Sequence, residues 1–197
     1  MKKLLRIDTS TRKNDSHSRD LANRYEAHYK NIHSNTKVCY RDLSQSDIPH
    51  ISQNFIEAMF TPTADRNQTM QNMLQLSEIL IGEIKDAETI LLSVPMYNFS
   101  IPSSLKAYID HISRVGETFA MDENGFTGLV TGKKLVICVA YGAVFNEMKQ
   151  MDFVEPYLKS LFRFLGFTDI EYYTIEGTSM LSPEALEEKK AALVTLF

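Results

Sequence analysis

The stretch Glu88-Thr89-Ile90-Leu91-Leu92-Ser93-Val94-Pro95-Met96-Tyr97-Asn98-Phe99-Ser100-Ile101-Pro102 decides the fold. It begins as a nearly unbroken apolar run, which is typical of a strand buried on both faces of a parallel sheet. Pro95 ends this strand, because a proline has no N–H group to donate to a central ladder. A short aromatic and amide segment follows, and Pro102 begins the next helix. Ligands of open α/β sheets bind where central strands end, so this turn is a candidate binding site.

The rest of the chain alternates between strand and helix patterns. Apolar spacing predicts four more strands, over residues 4–7, 37–43, 135–140 and 169–175, and five helices, over about 18–33, 70–84, 105–115, 152–165 and from Ser182 onward. This order indicates an α/β fold, a doubly wound five-stranded parallel sheet with helices on both faces. A length of 197 residues favours one domain over residues 1–197.

Two segments interrupt this alternation. Residues 116–132 hold four of the eight glycines and the turn signal Asn124-Gly125, so we expect a small hairpin excursion there. Residues 44–67 are predicted to be the least regular part, and a connection of this length tends to have a function.

Composition excludes several classes of protein. A net charge of −4 argues against a nucleic-acid or anionic-membrane partner. No apolar run approaches the roughly 18 residues of a membrane span, so we expect a cytoplasmic protein. Cys39 and Cys138 are expected to be buried, reduced thiols. The histidines show no metal-ligand spacing, so no metal site is predicted.

The first loop carries hydroxyl groups in place of glycines. No glycine precedes Gly82, which excludes the glycine-rich turns of dinucleotide folds and P-loop NTPases. Hydroxyl side chains instead lie ahead of the first helix, and with its free N–H groups they would form an anion site. The alternative is that Ser16 or Ser18 is merely a helix cap. A phosphate on this loop would place an attached ring system near Met96–Phe99.

Several motifs of the chain resemble those of a known family. Pro95-Met96-Tyr97-Asn98-Phe99 is the specific signal, and it looks like the FMN-dependent NADH-azoreductases, also described as NADH:quinone oxidoreductases. The likeness runs nearly from end to end and includes Arg41-Asp42-Leu43, Glu123-Asn124-Gly125, Gly128-Leu129-Val130-Thr131-Gly132-Lys133-Lys134 and Glu176-Gly177. It implies a single flavodoxin-like FMN-binding domain that forms a homodimer with active sites at the subunit interface.

The resemblance also implies residue roles. Ser10, Ser16, His17 and Ser18 would hold the phosphate, with His17 where a glutamine is more usual. The isoalloxazine would be lined by Met96, Tyr97, Asn98 and Phe99, and its pyrimidine side by Ala140, Tyr141, Gly142 and Ala143. A Ser-Arg-Gly-Gly pattern is common at this last segment, so the chain lacks the usual arginine. The substrate pocket is predicted to comprise Phe99, Phe119 and Phe164, with Phe119 covering a flavin of the partner subunit.

The activity implied is two-electron transfer from NADH or NADPH, through bound FMN, to quinones and azo compounds by a ping-pong mechanism. The flavin carries this chemistry, so no side chain is expected to be a nucleophile or general base. One alternative is a flavodoxin-type electron carrier that serves a protein partner; the 44–67 connection and the 116–132 excursion favour the enzyme. A flavodoxin-like domain that has lost its cofactor is a second alternative.

Overall fold

The computed structural model, which describes residues 1–123, 125–145 and 148–197, has a five-stranded parallel sheet with the strand order β2-β1-β3-β6-β7. The elements are β1 Lys2–Asp8, α1 His17–Ile32, β2 Thr36–Asp42, α2 Gln53–Phe60, α3 Gln68–Asp86, β3 Thr89–Pro95, α4 Ser103–Ile112, β4 Phe119–Asp122, β5 Gly125–Gly128, β6 Lys134–Ala140, α5 Glu155–Leu165, β7 Asp169–Ile175 and α6 Pro183–Val194, with short 3₁₀ turns at Thr63–Asp65 and Lys149–Met151. The predicted doubly wound α/β fold is therefore confirmed.

The central strand β3 supplies side chains to both faces of the sheet. Ile90, Leu92 and Val94 pack on the side covered by α3, α4 and α5. Leu91, between them in sequence, packs on the opposite side against α1 and α6. Because successive side chains of a strand alternate, this double burial requires the unbroken apolar run seen in the sequence.

The connection over residues 44–67 contains a helix that we did not predict. Ser52 caps α2 by accepting a hydrogen bond from the Phe55 N–H at 3.2 Å. Phe55 and Ala58 are buried with Leu74 of α3. The described residues thus form six α-helices, and the prediction of five was wrong because eight residues give little helical periodicity to detect.

The two cysteines differ in burial. Cys138 is fully buried in β6, as predicted, but Cys39 is exposed, which corrects its predicted burial. The reason is that β2 lies at the sheet edge and pairs only with β1. Both thiols are free.

The predicted excursion is an antiparallel hairpin of β4 and β5. Asn124 of the predicted Asn124-Gly125 turn lies outside the described residues. The backbone at Gly128, the last residue of the hairpin, lies against the backbone at Gly166, which follows α5. The Val130 N–H donates to the Leu165 carbonyl at 2.9 Å. The five strands of the main sheet run from residue 2 to residue 175 of the chain, and β4 and β5 form a separate two-stranded sheet. The single domain over residues 1–197 stays a prediction.

Replacing Gly128 by alanine should destabilise the protein by about 1–3 kcal/mol, the usual cost of overpacking. A Cβ atom at Gly128 would lie 2.2 Å from the Gly166 backbone nitrogen, so the hairpin and α5 would have to separate. The urea midpoint of unfolding measures this loss.

Gly82→Ala is the matched control, since Gly82 lies on the exposed side of α3 with nothing within 4 Å of an added Cβ. It should stabilise the protein by about 0.5–1 kcal/mol. Equal midpoints for the two variants would contradict the close approach.

Candidate active site

A cleft lies at the carboxyl ends of β1, β3 and β6, where the first loop meets the turns after β3 and β6. Its lining residues are Ser10, Arg12, Asp15, Ser16, His17, Ser18, Pro95, Met96, Tyr97, Ala140, Gly142, Thr178 and Ser179. The structure thus brings together eight of the predicted site residues: Ser10, Ser16, His17, Ser18, Met96, Tyr97, Ala140 and Gly142. Six others, Asn98, Phe99, Phe119, Tyr141, Ala143 and Phe164, are not among the lining residues.

The hydroxyls of the first loop surround the start of α1. Ser16 caps this helix, and its Oγ accepts a hydrogen bond from the Arg19 N–H at 3.4 Å and lies 3.3 Å from Ser18 Oγ. First-turn N–H groups have no intrahelical acceptor, so those of His17 and Ser18 are available to an anion. Capping and anion binding are therefore compatible here, and the two interpretations of Ser16 do not exclude each other.

A partly buried ionic network holds the first loop in place. Arg19 binds both carboxylate oxygens of Asp42 at 2.8 and 2.9 Å and donates to the Ser10 carbonyl at 2.7 Å. Asp8 lies 3.4 Å from Arg19 and accepts a hydrogen bond from the Ser93 hydroxyl at 2.6 Å. Burial opposes ionisation of Asp42, but hydrogen bonds from Arg19 and Ser44 outweigh it and lower the pKa of Asp42.

Positive charge is present at the same end of the cleft. Arg12 is exposed at the rim and forms no ion pair with any residue that the structure describes. Partial burial, together with the charges of Lys190 and Arg12, lowers the pKa of His17, so its imidazole is mostly neutral at pH 7. A phosphate placed beside His17 would favour the protonated form instead.

The turn after β3 has a constrained backbone. Tyr97 and Ser100 exchange two backbone hydrogen bonds of 2.9 and 3.0 Å, and both residues between them have positive φ angles, 49° for Asn98 and 68° for Phe99. Such a conformation is uncommon for a phenylalanine and is typical of functional turns. The Phe99 carbonyl is held by the Phe153 N–H at 3.1 Å.

Tyr97 joins the two sides of the cleft. Its hydroxyl lies 3.0 Å from Thr11 Oγ1 and accepts a hydrogen bond from the Thr11 N–H at 3.3 Å. Burial raises the pKa of Tyr97, but hydrogen bonds with Thr11 and Ser10 outweigh it and lower the pKa overall. The first loop and the turn after β3 are thus fixed relative to one another.

The segment after β6 presents backbone to the cleft. The Tyr141 side chain is 1% exposed and lies in the core, where its hydroxyl donates to Asp152 at 2.9 Å and lies 2.8 Å from the Tyr172 hydroxyl. Ala143 also packs against this core. Ala140 and Gly142 line the cleft, so the residue that stands where an arginine is common points away from it.

Five of the lining residues, Arg12, Asp15, Pro95, Thr178 and Ser179, are not among the predicted site residues. Of these, Thr178 and Ser179 come from a connection that no prediction places at the site. They lie between β7 and α6 and are held to the segment after β6 by hydrogen bonds from the Thr178 N–H to the Tyr141 carbonyl and from the Ser179 N–H to the Gly142 carbonyl, both 3.0 Å. The nearest sequence signal is Glu176-Gly177, which directly precedes Thr178 and is part of the family resemblance.

Of the three phenylalanines predicted to form the substrate pocket, two are in ring contact within this chain and Phe99 lies apart from them. Phe119 and Phe164 contact each other, with ring centroids 4.7 Å apart, and Phe126 completes this cluster on the hairpin. Phe99 is 41% exposed at the turn after β3. No group of side chains in the described part of the chain could hold a metal ion.

Comparisons with known proteins agree with this geometry. A family model described as a flavodoxin-like fold matches residues 2–196. The FMN-dependent NADH:quinone oxidoreductase of Hydrogenovibrio crunogenus is 42% identical over 187 residues, which cover 94% of this chain and 92% of that protein.

Solved structures agree as well. The azoreductase of Bacillus anthracis superposes with a TM-score of 0.90 at 26% identity, covering 100% of this chain and 96% of that one. An FMN-dependent NADH-azoreductase of Bacillus anthracis, solved in complex with FMN, gives a TM-score of 0.85 at 26% identity and covers 100% and 99%. The chain therefore belongs to the flavodoxin-like fold family and, within it, to the family of the FMN-dependent NADH:quinone oxidoreductases.

Proposed function

We propose that this protein is an FMN-dependent enzyme that transfers two electrons from NADH to quinones and azo compounds. The observation that carries the proposal is the cleft itself, in which the hydroxyls and free N–H groups at the start of α1 face the Met96–Tyr97 turn at the end of β3. This is where open α/β sheets of this strand order bind FMN. The names of the relatives support NADH as the donor.

The residues present fit the phosphate of FMN. Ser10, Ser16 and Ser18 are buried, and their hydroxyls have capacity for further hydrogen bonds beyond those they make to the loop. The positive end of the α1 dipole adds to the attraction for a dianion. His17 and Arg12 would hold the phosphate from the rim.

The other end of the cleft fits a flat ring. FMN, when bound, accepts a hydride from the nicotinamide and passes two electrons to the acceptor. Met96 and Tyr97 would cover the ring, while the chain at Gly142 approaches its pyrimidine side. No described residue accepts a hydrogen bond from the Gly142 N–H, so this donor is free to stabilise negative charge there. The same open face would serve NADH and then the acceptor, which is the basis of a ping-pong sequence.

We also propose a homodimer whose active sites form at the interface. Several large apolar side chains are exposed around the hairpin and the cleft: Phe99, Met121, Phe126, Leu129 and Phe153. Adjacent exposed apolar residues of this kind mark interaction surfaces. A partner chain would bring Phe119 and Phe164 toward a cleft that the single chain leaves without them.

We also propose a cytoplasmic location, because NADH is the proposed electron donor and unpaired cysteines such as Cys39 and Cys138 are usual in cytosolic proteins. No helix of the described residues has the length and apolar character to cross a membrane. Recovery of the protein in an extracytoplasmic fraction would contradict the proposed location.

Ser16→Asp should weaken FMN binding by on the order of 1,000-fold without weakening the fold. Aspartate caps a helix as well as serine does, but its charge repels the phosphate, by about 4 kcal/mol per pair of unit charges at 4 Å and an effective dielectric constant near 20. Fluorescence titration with FMN measures the loss. Riboflavin, which lacks the phosphate, should bind both proteins alike.

Ser52→Asp is the control for that experiment, since Ser52 caps the remote α2 in the same way. Its FMN affinity should equal that of the wild type. If Ser16→Asp binds FMN normally, the phosphate does not lie at α1.

Purified protein loaded with FMN should oxidise NADH when a quinone or an azo compound is present. A ping-pong sequence predicts parallel lines in double-reciprocal plots of initial rate against NADH at several quinone concentrations. NADPH is tested in the same assay. Protein that binds FMN but oxidises no NADH with either acceptor would overturn the proposed activity.

Phe126→Asp should shift the protein from dimer to monomer in sedimentation equilibrium and reduce quinone reduction at least tenfold, because it places a charge in the proposed interface. Ile32→Asp is the matched control: Ile32 is 60% exposed, similar to 64% for Phe126, but ends α1 away from the hairpin. If the wild-type protein is monomeric and fully active, the active site does not form at a dimer interface.

A further inference from the structure

Ser179 is held rigidly at the edge of the cleft. Its N–H donates to the Gly142 carbonyl at 3.0 Å, and the Gly177 N–H before it donates to the Ala143 carbonyl at 3.0 Å. Gly177 has a φ angle of +77°, which turns the chain toward the segment after β6. The backbone at Ser179 is therefore fixed by hydrogen bonds that do not involve its side chain.

The Ser179 hydroxyl lies directly beside Gly142. A Cβ atom added to Gly142 would be 3.1 Å from Ser179 Oγ, so the hydroxyl occupies the space next to this glycine. Ser179 is exposed, and its Oγ makes no hydrogen bond to any described residue, so it can donate to a ligand. The neighbouring Thr178 hydroxyl is already used, since it donates to the Tyr141 carbonyl at 3.0 Å.

Residues 140–143, at the carboxyl end of β6 on this side of the cleft, include no charged side chain. The Tyr141 side chain points into the core toward Asp152 and Tyr172. Negative charge that builds up on the pyrimidine edge of FMN upon reduction would meet the backbone at Gly142 and the side-chain hydroxyl that lies beside it. That hydroxyl belongs to Ser179.

We propose that Ser179 donates a hydrogen bond to the pyrimidine edge of FMN and raises the two-electron reduction potential of the bound flavin. This inference rests on the proposed FMN site. A hydrogen bond to a charged acceptor is stronger than one to a neutral acceptor, so the contact strengthens as the flavin is reduced. Ser179 thus favours the reduced form over the oxidised form and helps to set which acceptors the enzyme can reduce.

Ser179→Ala is the test, with FMN affinity and midpoint potential measured on the loaded protein by spectroscopic redox titration. We expect reduced FMN to lose about tenfold more affinity than oxidised FMN, which corresponds to a potential about 30 mV lower for two electrons. Ser179→Thr keeps the hydroxyl and should restore the wild-type potential.

Ser182→Ala is the structural control. Ser182 caps α6 through the Ala185 N–H at 3.3 Å, so its loss perturbs the same connection without removing a hydroxyl from the cleft. It should lower stability and leave the potential unchanged. If Ser182→Ala lowers the potential as far as Ser179→Ala does, the effect is structural and the inference is overturned.

Two further outcomes would also overturn it. If Ser179→Ala changes neither the FMN affinity nor the potential, Ser179 makes no contact with FMN. Equal weakening of oxidised and reduced FMN would place the hydroxyl on the ribityl chain or phosphate, away from the pyrimidine edge. A wild-type protein that binds no FMN would instead refute the proposed function, so the two failures are distinguishable.

Discussion

The bidentate contact between Arg19 and Asp42 is the interaction on which the candidate site depends. It ties α1 to the end of β2, and the same guanidinium holds the Ser10 carbonyl. Asp8, at the end of β1, forms an ion pair with Arg19 and accepts a hydrogen bond from the Ser93 hydroxyl of β3. Three strand ends and one helix start are therefore fixed by one partly buried network, in which Arg19 pairs with both Asp8 and Asp42. Removal of Arg19 would leave Asp42 without its cationic partner and would free the Ser10 carbonyl.

The turn after β3 completes the cleft at a cost in backbone energy. Two consecutive non-glycine residues with positive φ are unfavourable by about 1–3 kcal/mol each. The contact of Tyr97 with Thr11 and the hydrogen bond from the Phe153 N–H to the Phe99 carbonyl hold the turn in place. Since the ionic network fixes the first loop and Tyr97 binds to that loop, the strained turn depends on the same network.

Several features could be predicted from sequence because they have local causes. The central strand, the hairpin and the hydroxyl loop each follow from a continuous pattern of residues. The helix over 53–60 was missed because it is only two turns long and is stabilised by contact with α3. Cys39 was misplaced because its burial depends on β2 being an edge strand, which is decided by strand order. Ser179 reaches the cleft only through the pairing of two distant connections, so no local pattern marks it.

The direction of the Tyr141 side chain changes how the missing arginine should be understood. An arginine side chain at this corner would bring a positive charge close to the flavin. The Tyr141 side chain is instead directed into the core, where its hydroxyl donates a hydrogen bond to Asp152. The anchored backbone keeps the Gly142 N–H in place, and a fixed dipole is an effective donor because it needs no reorganisation when charge develops. At this corner of the proposed FMN site, this chain would therefore rely on an immobile backbone and not on a charged side chain.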